Sequence, residues 1–296
     1  MNLPSVFIIG AAKSATTTLA ELLSMHPRIC LGEQKEPEFF SHDDHFSLGF
    51  KHYSENYKYA SKEDIIIDAS TSYSRSPQFP LSAQRIYHFN PQAKIIYVLR
   101  NPIDRSYSHY VHRYSKELYP NQPFNISFSE FVKQEPVCLD SSLYQYQLAC
   151  YLKYFDSDSI HIVFTEDIKE NQFKCLENVC SFIGVEYQPE WFKVTSSNVG
   201  QSFLDSRKKV AISNIFRSLP FYHKLRGNIS KPLKEKIYKL LLMSFAKSID
   251  QDFTPNPLIR EDVLMMKVLF KDSNDWLEKY TGRTLEHWDC YGKESE

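Results

Sequence analysis

Val6-Phe-Ile-Ile-Gly10-Ala-Ala-Lys13-Ser-Ala-Thr-Thr-Thr-Leu19 is the stretch on which the fold turns. The apolar run Val6–Ile9, closed by Gly10, reads as a buried strand, and Leu19, Leu22, Leu23 and Met25 read as the apolar face of the helix that follows. Lys13 and four hydroxyl residues (Ser14, Thr16, Thr17 and Thr18) therefore fall at a strand-to-helix turn. The first N–H groups of a helix have no intrahelical partner and its dipole favours an anion there. Lys13, Ser14, Ala15, Thr16, Thr17 and Thr18 are thus expected to form a phosphate cradle, at the place where an open α/β sheet keeps its ligand.

Outward from this turn, strand and helix patterns alternate. Ile65–Asp68, Lys94–Leu99 and Ile160–Phe164 read as strands, and residues 81–89, 102–117, 141–155 and 171–183 as helices. Asn101 and Pro102 supply a cap and a first helical residue. The alternation predicts an α/β fold: a P-loop-like, mainly parallel sheet flanked by helices, with a helical C-terminal elaboration. Residues 186–209 read as loop-rich, and 231–249 and 260–280 as amphipathic helices. No linker composition or repeat divides residues 1–296, so one domain is expected, its core over about 5–185 and its helical part over about 186–290.

Composition narrows the partners. An apolar content of 42% is enough for a sizeable core and argues against disorder. With 35 basic and 36 acidic residues the chain lacks the positive lean of a nucleic-acid binder, so any anion site must be a local concentration of charge. No apolar run approaches the roughly 20 residues of a membrane span. No signal peptide precedes the first strand, which points to a cytoplasmic chain. The six cysteines lack metal-ligand spacing and read as reduced, buried thiols; His42, His45 and His52 read as surface or cleft residues, and no metal site is expected.

Three further constellations carry chemistry. Arg100 ends a strand, so its guanidinium emerges at the carboxyl edge of the sheet; Arg105 and Ser108 follow on the next helix. An arginine fork with a hydroxyl suits a second phosphate, although Arg100 would equally pair with Asp68 or Asp104 in a structural bridge. Lys35-Glu36-Pro-Glu38-Phe39-Phe40 offers two carboxylates before an aromatic pair. Asp68-Ala-Ser-Thr-Ser-Tyr73 closes the second of the strands read above.

The spacing of the first loop excludes a Walker A motif, whose lysine follows its second glycine. The order Gly-x-x-Lys-x-x-Thr-Thr instead resembles the 5′-phosphosulfate loop of sulfotransferases that use 3′-phosphoadenosine 5′-phosphosulfate (PAPS), which commonly carry glycine at the position of Ala15. Arg100 and Ser108 match that family's 3′-phosphate site, and Arg105 is a further candidate for it. Glu36, three residues before Phe39, matches the proposed base of glycan sulfotransferases of the heparan sulfate type, with Glu38 as its internal competitor. The loop Asp68–Tyr73 resembles the acceptor-side loop, so Lys35, Glu38, Asp68 and Tyr73 are expected to face the acceptor. Arg207, Lys208 and Lys209 are candidates for the basic loop that covers the nucleotide. Gly282-Arg-Thr-Leu-Glu-His-Trp288 resembles the ending of bacterial sulfotransferase-domain proteins.

The resemblance implies in-line transfer of a sulfuryl group from PAPS to a hydroxyl or amine, with Lys13 and Glu36 catalytic. PAPS and its product PAP would be bound without a metal, and the acceptor would be a glycan or glycolipid. The lack of an anchor separates the chain from Golgi-type relatives and points to a bacterial cytoplasm. Two other readings stay open: a P-loop NTP-dependent kinase, which lacks its Gly-Lys-Ser/Thr loop here, and a glycan-binding module using the abundant aromatics.

Overall fold

In the computed structural model, residues 1–114, 125–192 and 255–288 are described. They fall into two compact units. One holds residues 1–110, 128–192 and 258–288 and carries everything discussed below. In the smaller one, the Asn125 amide donates to the Tyr114 hydroxyl (3.1 Å) and Asn256 Nδ2 to the Ile126 carbonyl (3.4 Å).

The described strands are β1 (Val6–Gly10), β2 (Ile29–Leu31), β3 (Ile65–Asp68), β4 (Lys94–Leu99) and β5 (Ile160–Phe164). They form one sheet in the order β2-β3-β1-β4-β5, and each neighbouring pair is parallel. The described α-helices are α1 (Thr16–Leu23), α2 (Asp43–Ser47), α3 (Gly49–Glu55), α4 (Ser82–Phe89), α5 (Pro102–Arg113), α6 (Phe128–Gln134), α7 (Val137–Asp140) and α8 (Tyr144–Leu152) between the strands, and α9 (Thr165–Glu170), α10 (Gln172–Ile183) and α11 (Arg260–Thr281) after β5. The expected α/β class, mainly parallel sheet and flanking helices are all present.

Both faces of the sheet are covered, which is why its strands are continuously apolar. Phe7, Ile9, Ile95, Tyr97 and Leu99 pack on one face against Phe39, Phe40, Tyr53, Leu148 and Trp288. Val6, Ile8, Ile96, Val98 and Val163 pack on the other against Leu19, Leu23, Leu176 and Val179. Alternate side chains of each strand supply the two layers.

The differences from the sequence reading have local causes. The three-residue β2 is too short to carry a pattern and exists through its pairing with β3, Ile29 opposite Ile65. Residues 43–55, unassigned from sequence, become two short helices because Phe46, Phe50 and Tyr53 pack on Phe39. The helix expected over 141–155 is confined to Tyr144–Leu152, since Leu143, at ψ 72°, leaves the helical region. The helix expected over 231–249 lies outside the described residues.

Topology places the site. From β1 the chain moves to one side of the sheet through β2 and β3, then crosses to the other side for β4 and β5. The switch point lies between β1 and β4, where doubly wound sheets bind ligands at the carboxyl ends. The turns after β1, β2, β3 and β4 all emerge at this edge because the strands are parallel.

Candidate functional site

Gly10 leaves β1 with φ 145°, and a Cβ there would stand 2.0 Å from Ser74 Oγ, so glycine is required for the close approach. The chain then turns through Lys13 (φ 72°) and Ala15 (φ 61°), both in the left-handed region. The Ser14 amide closes the turn on the Ala11 carbonyl (3.1 Å), and the Ala11 amide donates to Val98 of β4 (2.7 Å). Ala15 is the N-cap of α1, and no side chain caps that helix. Ser14 is fully buried and its hydroxyl makes no hydrogen bond of normal geometry. An uncapped helix start, a buried serine hydroxyl and a half-buried lysine fit an oxyanion with several oxygens.

Ala15 stands in a conformation that costs an L-residue about 1–2 kcal/mol, of which glycine's greater unfolded entropy would return about half. Ala15→Gly is therefore expected to raise the unfolding free energy by roughly 0.5–1 kcal/mol, seen as a higher urea midpoint with the m-value unchanged. A lowered midpoint would mean that Ala15 does not hold a positive φ in the folded chain.

Arg100 follows β4. Its Nη1 donates to the Lys13 carbonyl (3.4 Å) and its Nη2 lies 3.7 Å from Asp104, so of the two structural partners weighed from sequence it approaches Asp104. Tyr144 of α8 fixes the backbone, its hydroxyl donating to the Arg100 carbonyl (2.6 Å). Asn101 caps α5 as read, accepting from the Ile103 amide at 2.9 Å. Ser108 lies on α5 two turns further on, partly exposed.

Arg105 is a correction. It is 0% exposed and donates to the Ala12 carbonyl (3.3 Å), the Ser142 hydroxyl and the Cys138 carbonyl. Buried beneath the loop, it holds the backbone of the cradle and does not face a nucleotide. A buried guanidinium must place its donors on internal acceptors, and these carbonyls and hydroxyls do so.

The turn after β2 brings Lys35-Glu36 to the same edge. Lys35 Nζ donates to Thr17 Oγ1 of α1 (2.5 Å) and to Glu36 Oε1 (3.1 Å). Thr71, after β3, donates to Glu36 Oε2 (3.0 Å), and Arg75 Nη2 donates to Thr71 (3.4 Å). Glu38 turns away: its backbone sits at φ 53° and its carboxylate lies 3.5 Å from His42. Of the two carboxylates, Glu36 is the one joined to the cradle. Thr71 and Tyr144 were not singled out from sequence, and nothing in their residue types distinguishes them from neighbouring hydroxyls.

Asp68 and Tyr73, expected on the acceptor side, are instead closed off from solvent, at 0% and 2% exposure. Asp68 accepts from Tyr53 (2.5 Å), Ser70 (2.6 Å) and Tyr73 (2.7 Å). Ser70 and Tyr73 in turn accept from the backbone amides of Glu38 (3.0 Å) and Phe40 (3.4 Å). The cluster clamps the Glu36–Phe40 turn from below. Burial pushes the Asp68 carboxyl from 3.8 up to about 6, against the hydrogen bonds that lower it.

With its folded pKa above its unfolded one, Asp68 contributes stability that is complete below about pH 4 and lost as the pH rises through about 6. The window spans about two pH units, so roughly 3 kcal/mol is at stake. Urea titrations at intervals between pH 4 and 7 are expected to show this decline, and Asp68→Asn to flatten it. An equal slope in both proteins would remove Asp68 as its source.

The C-terminal motif packs beside the site. Arg283 Nη1 reaches both Asp167 oxygens (2.6 and 2.7 Å), Trp288 Nε1 donates to Glu166 (3.0 Å), and Asn101 Nδ2 donates to the Trp288 carbonyl (3.1 Å). Arg207, Lys208 and Lys209 lie outside the described residues. The five described cysteines are free thiols. Among the described residues no group of His, Cys, Asp or Glu has the geometry of a metal site, and no helix is long and apolar enough to cross a membrane.

Heparan sulfate glucosamine 3-O-sulfotransferase 5 of Mus musculus is 29% identical over 169 residues, covering 55% of this chain and 48% of that protein. The bifunctional heparan sulfate N-deacetylase/N-sulfotransferase 2 of Homo sapiens is 27% identical over 203 residues, covering 62% of this chain and 22% of that protein. The chain thus spans less than half the length of these curated relatives. The crystal structure of a sulfotransferase from Alicyclobacillus acidocaldarius superposes with a TM-score of 0.56 at 26% identity, covering 75% of this chain and 97% of that one. The model of the sulfotransferase domain matches residues 3–255. A match over this much of the sequence settles the family: the chain belongs to the sulfotransferase domain family.

Proposed function

We propose that the chain transfers the sulfuryl group of PAPS to a hydroxyl or amine of a carbohydrate acceptor. The observation that supports this reading is the contact of the Arg100 guanidinium with the Lys13 carbonyl (3.4 Å), which brings a second cationic residue to the Lys13 loop. A nucleotide with phosphates at both ends of its ribose needs two such sites within its own length. Lys13, Ser14 and the first turn of α1 would hold the 5′-phosphosulfate, and Arg100 with Ser108 the 3′-phosphate.

In the proposed reaction the acceptor oxygen or nitrogen bonds to sulfur as the bond from sulfur to the 5′-phosphate oxygen breaks. The electron pair of that bond leaves with PAP. Lys13 and the helix N–H groups neutralise charge growing on the bridging oxygen, the kind of preorganised stabilisation that dominates many enzymes. Glu36 takes the acceptor proton; in the ligand-free chain its two oxygens accept from Lys35 and Thr71. The carbohydrate class rests on the names of the relatives and on the position of Glu36 before the buried Phe39-Phe40 pair. Transfer of ³⁵S label from PAPS across a panel of glycans bearing free hydroxyls or amines tests the reading. Labelled glycan is the expected result, whereas failure to bind PAP together with no labelled product would overturn it.

A further inference from the structure

Lys35 occupies a place that the sequence does not foretell. Expected at the acceptor, it is bonded instead to Thr17 on the exposed first turn of α1 and to the neighbouring Glu36. An ammonium has three donors, and these two contacts use two of them. Its Nζ stands 2.5 Å from Thr17 Oγ1, so an oxyanion lying against the first turn of α1 comes within reach of the same nitrogen. The Lys35 and Glu36 side chains are 38% and 30% exposed, and an ion pair so placed is weak. A multiply charged phosphosulfate is the stronger attractor. Glu36 would not lose its orientation if Lys35 left it, because Thr71 donates to the other carboxylate oxygen at 3.0 Å.

We propose that Lys35 is a positioning residue shared between nucleotide and base: it bonds Glu36 while the cradle is empty and shifts to the bound nucleotide, uncovering Glu36 Oε1 for the acceptor proton. This rests on the reading of the cradle as a PAPS site and of Glu36 as the base. By linkage, a lysine that must leave Glu36 to bind the nucleotide makes Glu36 weaken nucleotide binding through Lys35.

A double-mutant cycle read by calorimetric titration with PAP tests the sharing without using activity. Lys35→Met is expected to weaken PAP about 10-fold, the worth of one charge-assisted hydrogen bond, and Lys35→Arg to recover most of that loss. Glu36→Gln is expected to tighten PAP about 3-fold with Lys35 present and by less than about 1.5-fold once Lys35→Met is in place. Equal tightening in both backgrounds would reduce the effect to simple charge repulsion and overturn the proposal. So would PAP affinity indifferent to Lys35→Met, with circular dichroism confirming that each variant is folded. If the unmodified chain binds no PAP, the reading of the cradle fails and this proposal falls with it. If the cycle behaves as expected but Glu36→Gln retains full kcat, the base assignment fails and the sharing stands.

Discussion

Lys13→Ala is expected to lower kcat for sulfuryl transfer about 10²–10³-fold, the usual cost of removing one donor aimed at developing charge. The loss should fall on kcat more than on PAP affinity, because the charge on the bridging oxygen grows only as the sulfur–oxygen bond breaks. The substitution is a clean probe for a conformational reason. Lys13 already holds φ 72°, and alanine meets the same strain there as lysine, so the loop gains no new penalty. The Lys13 carbonyl that receives Arg100 is also untouched. A folded chain with a thermal midpoint within about 4 °C of the unmodified chain's is therefore expected beside the lost turnover. Retained turnover would remove the lysine from the reaction and leave the helix N-terminus to stabilise the leaving group alone.

Arg100→Ala is expected to weaken PAP about 10²–10³-fold while changing the affinity for adenosine 5′-phosphosulfate, which lacks the 3′-phosphate, by only a few-fold. An arginine–phosphate fork makes two charge-assisted hydrogen bonds of about 1.5–3 kcal/mol each. Its present contacts are weaker. The Lys13 carbonyl at 3.4 Å and Asp104 at 3.7 Å hold the guanidinium near the crevice at distances longer than those of an arginine–phosphate hydrogen bond. Turning toward a 3′-phosphate thus exchanges two long contacts for two short ones. Paired calorimetric titrations with the two nucleotides measure the difference. Equal weakening of both would mean that Arg100 supports the loop and does not read the 3′-phosphate.

Arg105 shows where reading by residue type fails. Two arginines five positions apart, flanking the start of one helix, look alike in sequence. Arg100 follows a strand and emerges at the sheet edge, whereas Arg105 lies on the inner face of α5 and is fully buried on Ala12, Cys138 and Ser142. Asp68 and Tyr73 show the same limit. Their place after a strand was legible, but the strand's final side chain points into the core, where two tyrosines and a serine enclose it. Glu36 and Glu38 separate for a comparable reason: the positive φ at Glu38 sends its carboxylate toward His42.

Local pattern alone sufficed for the α/β class, the strand Val6–Gly10, the turn from it into α1 and the cap at Asn101, because each depends on apolar periodicity or on a turn within a few residues. Tertiary structure alone decided that β4 lies beside β1, which brings Arg100 onto the Lys13 loop, and that the turns after β2 and β3 join Lys35, Glu36 and Thr71 to Thr17. Strand order is fixed by which apolar faces cover one another across the whole sheet, and a contact between residues 87 apart in the chain leaves no local pattern to read.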